Sequence, residues 1–258
     1  MMATKSIRIF ISSPGDVQEE RDLAKLVVEQ LRKTFAGRLE LTAVLWEELP
    51  LTADMSFQQG IDLVLSDIGI DIAIFILWSR LGTPTGALMV GDQQRLFRNG
   101  TEREWHLMLE AREQCQRLGL PPRPAIIVYT RKDDESFDQR QRGKSDVEKK
   151  LAVEQKIAVN QFMVEEFRDL DTGVNLRAYH TFDQPTTFAS NLRNHLTQLL
   201  DAICGEATDR LVWDPALKGA PFRGLETFEF EHSPIFFGRE DVETLGTGDL
   251  GDIAFLLD

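Results

Sequence analysis

Two hydrophobic periods alternate along the chain as far as Cys204, and that alternation limits what it can fold into. Short runs rich in β-branched and aromatic residues recur at Ile7–Ser12 (IRIFIS), Leu41–Trp46 (LTAVLW), Ile72–Trp78 (IAIFILW) and Ala125–Tyr129 (AIIVY), with a weaker one at Asn175–His180. Between them the apolar residues fall at helical spacing. Leu23, Leu26, Val27 and Leu31 mark a helix from Val17 to Phe35, and Phe57, Ile61, Val64, Leu65 and Ile68 a second. Trp105, Leu107, Met108 and Ala111 mark a third, Lys149 to Phe167 a fourth and Phe188 to Ile203 a fifth. Runs that are apolar at successive positions suit strands buried on both faces, and the intervening helices supply the cover. The pattern predicts an α/β fold: a five-stranded parallel sheet of flavodoxin-like order 2-1-3-4-5 with helices on both faces.

Charge and composition remove several functions. Asp plus Glu number 42 against 29 Lys plus Arg, a net charge of −13, so the bulk field repels phosphates and no nucleic-acid partner is expected. The most apolar run, Ile70 to Trp78, contains Asp71 and falls far short of the ~20 residues that span a bilayer, so no membrane partner is expected. Cys115 and Cys204 form neither a disulfide framework nor a metal spacing, and two thiols fit a reducing, cytoplasmic compartment. The N-terminus runs straight into a strand pattern, without a secretory signal. His106, His180, His195 and His232 show no HExxH or His-x-Glu spacing, so no metal site is expected, and His106 and His195 read as helix-surface residues.

The first strand-to-helix junction, SSPGDVQEER, has its own turn chemistry. Pro14 and Gly15 make the turn, Asp16 is placed to cap the helix, and Glu19 stands at a capping-box-like spacing. Sheets of this order bind ligands beyond the carboxyl ends of their strands, at the switch between the first and third. That rule gathers Ser12, Ser13, Trp46, Glu47, Glu48, Trp78, Ser79 and Arg80 around one crevice. Glu47 and Glu48 are adjacent on an extended chain and point opposite ways, so they are not expected to act together. Residues 82–100 read as a long Gly-bearing loop, and residues 131–150 as an exposed, charged connection or solvated helix start. After Cys204 the period ends. Trp213, Phe222, Phe228, Phe230, Phe236 and Phe237 follow no repeat and read as an irregular aromatic linker.

Three stretches carry a resemblance. IRIFISSPGDVQEERDLA, Ile7 to Ala24, resembles the opening signature of the domain of unknown function 4062: a strand, a Ser-Ser pair, then an Asp-x-x-x-Glu-Arg helix start. GTEREWHLMLEA, Gly100 to Ala111, resembles the Thr-Glu-x-Glu segment of the same family, which is related in fold to Toll/interleukin-1 receptor (TIR) domains. PFRGLETFEFEHSPIFFGRE, Pro221 to Glu240, is similar to the linker that opens the NTPase domain of bacterial STAND proteins, the signal-transduction ATPases with numerous domains. The implied organisation is a TIR-like domain over residues 5–203, then a linker and the truncated start of a STAND NTPase over residues 204–258. No GxxxxGK[ST] phosphate loop is present, so ATP hydrolysis by this chain is not expected. The tail after Glu240 also departs from the helical sequence the resemblance implies.

The resemblance implies two kinds of function. In the first, the domain is a signalling or effector module, such as one in antiphage defence. It would act by self-association and protein–protein contact, with a STAND NTPase region downstream. Leu49, Leu51, Met55 and Phe57 occupy the place of the loop through which TIR domains associate, although loop packing alone also explains them. In the second, the domain is an NAD glycohydrolase activated by oligomerisation. Glu104, or less directly Glu102, would then hold the nicotinamide ribose and stabilise an oxocarbenium-like transition state. A solvated glutamate in a first helical turn is the plainer alternative. For NAD, Ser12 and Ser13 before a helix N-terminus would hold the pyrophosphate, Trp46 and Trp78 would stack on a ring, and Arg80 would offset charge. Each also has an ordinary role: turn formation, closure of the core, or a surface ion pair to Glu47 or Glu48. Trp105 reads as an anchor against the sheet. Nucleoside deoxyribosyltransferase-like chemistry shares the sheet and a catalytic glutamate, but no further motif supports it.

Overall fold

The computed structural model describes residues 5–45, 69–82, 87–90, 93–169 and 171–204. The chain divides into two units, Met1–Leu199 and Leu200–Asp258, and of the second only the end of a helix is described. The described elements run β1 (Lys5–Ser12), α1 (Gln18–Thr34), β2 (Leu39–Val44), β3 (Ile72–Leu77), β4 (Ala87–Val90), β5 (Gln93–Leu96) and α2 (Gly100–Arg117). After these come β6 (Ala125–Arg131), α3 (Asp134–Gln141), α4 (Asp146–Phe167), β7 (His180–Phe182) and α5 (Pro185–Ile203).

Five strands form one sheet in the order β2-β1-β3-β6-β7, and every pairing in it is parallel. Without the β4–β5 hairpin, this is the expected 2-1-3-4-5 order. The central strand β3, IAIFIL, is buried at every position, as a strand covered on both faces must be. Its register places Phe75 beside Ser12 of β1 and Val128 of β6.

Strand alternation sorts the core into two layers. On one face Phe10, Phe75 and Val128 pack with Trp105 and Met108 of α2 and with Val159, Phe162 and Phe167 of α4. On the other, Tyr129 meets Phe188 of α5 edge-to-face at 5.0 Å, and Arg193 of α5 bonds Gln30 of α1. The buried positions Phe188, Leu192 and Leu196 of α5 recur every fourth residue, and Ala24, Val27, Val28 and Leu31 make the α1 stripe. Leu26, expected in that stripe, is 52% exposed.

Several expectations need correction. Residues 82–100 are more than a loop, because Ala87–Val90 and Gln93–Leu96 pair antiparallel within them. The charged stretch 131–150 contains α3, capped by Asp133, and the start of α4. There Ser145 and Glu148 form a reciprocal capping box. The last strand is His180–Phe182 and not Asn175–His180: Tyr129, Thr130 and Arg131 bond only the later segment, while Asn175 bridges back to Arg168. Asp16 does not cap α1. The N-cap is Val17, which makes no side-chain cap bond, and the Asp16 carboxylate accepts instead from the Ser79 N–H and hydroxyl, both at 2.8 Å. Two donors on a neighbouring strand exit outcompete one local amide. No described helix is long and apolar enough to cross a membrane.

Candidate functional site at the carboxyl edge of the sheet

The carboxyl ends of β1, β3 and β6 are joined by a polar network built from the first signature segment. On the α2 side of the sheet, Ser12 Oγ donates to Glu104 Oε2 at 2.5 Å, with Ser12 fully buried and Glu104 only 6% exposed. On the α1 side, Arg21 Nε donates to Ser13 Oγ at 2.7 Å, and a second Arg21 nitrogen donates to the Ser13 carbonyl. The adjacent serines face opposite ways, as strand alternation requires, and each fastens one helix to the sheet. Burial pushes the Arg21 guanidinium below its ordinary pKa, and Asp22, Glu104 and Asp16 pull it back up.

The turn after β3 brings Glu104 into reach. Gly82 has φ +89, a conformation that favours glycine, and a Cβ there would lie 3.3 Å from Thr101 Oγ1 at the start of α2. Asn99 caps that helix by accepting from the Glu102 N–H at 2.9 Å. The first turn points Glu104 inward, while Glu102, on another side of the helix and 12% exposed, is held by Arg98 at 3.0 Å. Glu102, the alternative catalytic candidate, is therefore an ion-paired residue of the helix start. Trp105 sits beneath, with Phe75 at 5.4 Å, Phe162 at 6.0 Å and Phe167 at 5.2 Å, and its indole N–H donates to Glu166 at 2.9 Å. It is an anchor, as expected.

Beside this lies a second group the sequence did not announce. Arg131, at the end of β6, pairs with Glu20 of α1 at 2.8 Å and with Asp133 at 2.6 Å, both partners being largely removed from solvent. The Ser136 hydroxyl and amide, helped by Arg131, hold the Asp133 carboxyl down to a pKa of about 2. The Trp78 ring, a candidate stacking platform, is 4% exposed and already carries the Arg131 guanidinium at 4.5 Å and the Arg140 guanidinium at 4.2 Å. Arg140 comes from α3 and also donates to the Asp16 carbonyl at 2.9 Å. Two cations thus take the π surface offered to a ligand ring. Arg80 is half-buried at the exit of β3, and its Nε has no hydrogen-bond partner.

The structure thus gathers Ser12, Ser13, Trp78, Arg80 and Glu104 at one edge. Trp46, Glu47, Glu48, Leu49, Leu51, Met55 and Phe57 lie outside the described residues. Among the described residues no group of three or more His, Cys, Asp or Glu side chains is arranged to hold a metal. Of the unanticipated members Glu20, Arg21 and Arg131, the first two have a partial signal in the sequence. Glu20 and Arg21 stand four and five residues after Asp16, a spacing that carries one side chain over the turn and one along the helix.

His195 also departs from expectation. It is half-buried, shares a 2.6 Å hydrogen bond between Nδ1 and the Tyr129 hydroxyl, and lies 4.2 Å from the His180 ring. Burial pushes the Tyr129 phenol above its usual pKa, so it keeps its proton. Burial, then the His180 charge, lowers the His195 pKa. The folded state therefore binds this proton less readily than the unfolded chain. The stability contribution is complete above the ordinary imidazole pKa of ~6.5 and is lost as pH falls below it. In thermal melts between pH 7.5 and 5.5, the wild type should lose more Tm than His195→Gln, whose amide can still pair with the Tyr129 hydroxyl and does not titrate. Parallel pH curves for the two proteins would refute this. His106 lies against Phe97 and within 3.5 Å of Glu166, and so is only partly a surface residue.

No family model matches the chain, and no curated protein does. Among solved structures it is similar to the apo form of translation elongation factor SelB from Methanococcus maripaludis, at 14% identity and a TM-score of 0.32. That match covers 78% of this chain and 34% of the other, so the chain spans about a third of the factor's length. A likeness of that size carries no functional meaning.

Proposed function

We propose that residues 5–203 are a TIR-like module of the domain of unknown function 4062 type, acting by self-association at the head of a STAND-type signalling protein in a reducing, cytoplasmic compartment. The observation that carries this reading over an enzymatic one is the state of the signature residues. Ser12, Ser13, Asp16, Glu20, Arg21 and Glu104 are all engaged in bonds between elements, and Glu104 is nearly closed to solvent. Such a set stiffens a scaffold and leaves its faces to bind. Cys115 and Cys204 are joined in no disulfide, which suits the compartment.

A second reading, NAD cleavage, is favoured by one specific contact. The Ser12 hydroxyl fixes the Glu104 carboxylate at the sheet edge where ligands of such folds bind. In that reading Glu104 would hold the nicotinamide ribose and stabilise its developing positive charge as nicotinamide leaves and water adds.

One experiment separates them. The full chain is followed by sedimentation over the micromolar range and, in parallel, incubated with NAD while nicotinamide release is measured. Self-association without turnover, weakened by Phe57→Asp, is the expected result. Turnover that Glu104→Gln abolishes would move the assignment to the enzyme. A monomer that leaves NAD intact at every concentration would overturn both.

A further inference from the structure

The outward side of α4 breaks the rule that a surface helix is apolar on one side only. Its inward residues, Val159, Phe162 and Phe167, are buried in the core. Its exposed residues include Leu151 at 54% exposure, Val153 at 47%, Ile157 at 49% and Val164 at 36%. At 100° per residue, Val153, Ile157 and Val164 fall within about 40° of one another, while Leu151 falls about 140° away and lies outside that stripe. Single exposed apolar residues are ordinary, but three aligned on one helix side, with the polar Asn160 and Gln161 between Ile157 and Val164, mark a contact surface.

Charge indicates what covers it. Lys149 and Lys150, with side chains 45% and 80% exposed, lie at the N-terminal end of the stripe. Glu165, half exposed and also paired to Arg98, lies at the C-terminal end. A carboxylate in the last turn opposes the helix's own dipole, and α4 itself carries no basic residue there, Arg98 being its partner from outside the helix. A second α4 laid antiparallel is complementary to this charge distribution. Positions 150 and 165 are equally far from the midpoint beside Ile157, so a two-fold axis there sets each Lys150 against the other copy's Glu165. The positive N-terminal end of one helix then lies beside the carboxylate of the other. A parallel pairing would set lysine against lysine.

We propose that the outward face of α4 is a self-association surface, on which the α4 of a second copy packs antiparallel with Ile157 near the two-fold axis. The proposal rests on the reading of the domain as an assembling module and adds to the loop expected over residues 49–57 a second surface through which copies meet. The contact is isologous and closes as a dimer.

The test uses the full chain in sedimentation velocity across the micromolar range, with thermal melts as the control for folding. Val153→Glu/Ile157→Glu alters only exposed positions, so the melt should be unchanged while the dissociation constant rises about tenfold or more, as expected for residues at the centre of an interface. Lys150→Glu and Glu165→Lys should each weaken association, and the double variant Lys150→Glu/Glu165→Lys should recover it. A wild-type dimer indifferent to Val153→Glu/Ile157→Glu, or single charge variants that the double variant fails to rescue, would overturn the α4 surface and leave the module reading standing. A wild type that stays monomeric throughout would overturn the module reading itself, and the surface with it.

Discussion

Trp105→Ala should lower the unfolding free energy by about 3–5 kcal/mol, the range for removing a large aromatic side chain from a core. The indole is the point where α2, α4 and the sheet meet. It touches Phe75 of β3 and Phe162 and Phe167 of α4, and its N–H satisfies Glu166. Alanine leaves a cavity under the helix that carries Glu104 and removes a bond from a partly buried carboxylate. Trp105→Phe keeps most of the ring contacts and drops the N–H, so it should cost a smaller amount, about 1–2 kcal/mol. Urea denaturation midpoints at constant slope read both changes. A loss below about 1.5 kcal/mol for the alanine variant would mean that the three aromatic neighbours close over the gap.

Arg131→Ala should cost a similar amount, about 3–5 kcal/mol, for a different reason. The guanidinium is the partner of Glu20, a carboxylate 1% exposed, and it also anchors Asp133 at the start of α3. Taking it away leaves a charge inside the protein without compensation. If that stranded charge is the cause, Glu20→Gln in the Arg131→Ala background should restore a large part of the loss, since a neutral amide tolerates burial far better. A double-mutant cycle in urea measures this directly. Strict additivity would show that the loss comes from the guanidinium's packing on Trp78 and not from the ion pair.

The sheet is legible because its central strand β3 and the second half of β1 are buried on both faces. IRIFIS and IAIFILW have no polar alternation, and such a run has few places to go except the middle of a parallel sheet. His180–Phe182 was not legible, because an edge strand of three residues takes its identity from the neighbour that pairs with it. The β4–β5 hairpin was hidden in the same way, among glycines that read as loop. Asp16 was misread because the local rule counts only amides within a turn, whereas Ser79, 63 residues away, offers two donors. Glu104 could be placed at the edge through its family-like segment, but its burial and its bond to Ser12 belong to tertiary structure. Arg131 and His195 are a strand-end arginine and a helix histidine like many others, and nothing local distinguishes them before the fold brings Glu20 and Tyr129 to them.

The bond between Ser12 and Glu104 spans 92 positions in the chain. A ribosome adding about 5–20 residues per second needs roughly 5–20 seconds to cover that interval. During it the opening βαβ unit can form, because β1 and β2 pair directly and α1 lies between them. The serine hydroxyl at its tip, however, waits in water for an acceptor still to be made. The edge that holds the candidate site is therefore among the later parts of the newborn domain to lock, and its completion reports that α2 has emerged and docked.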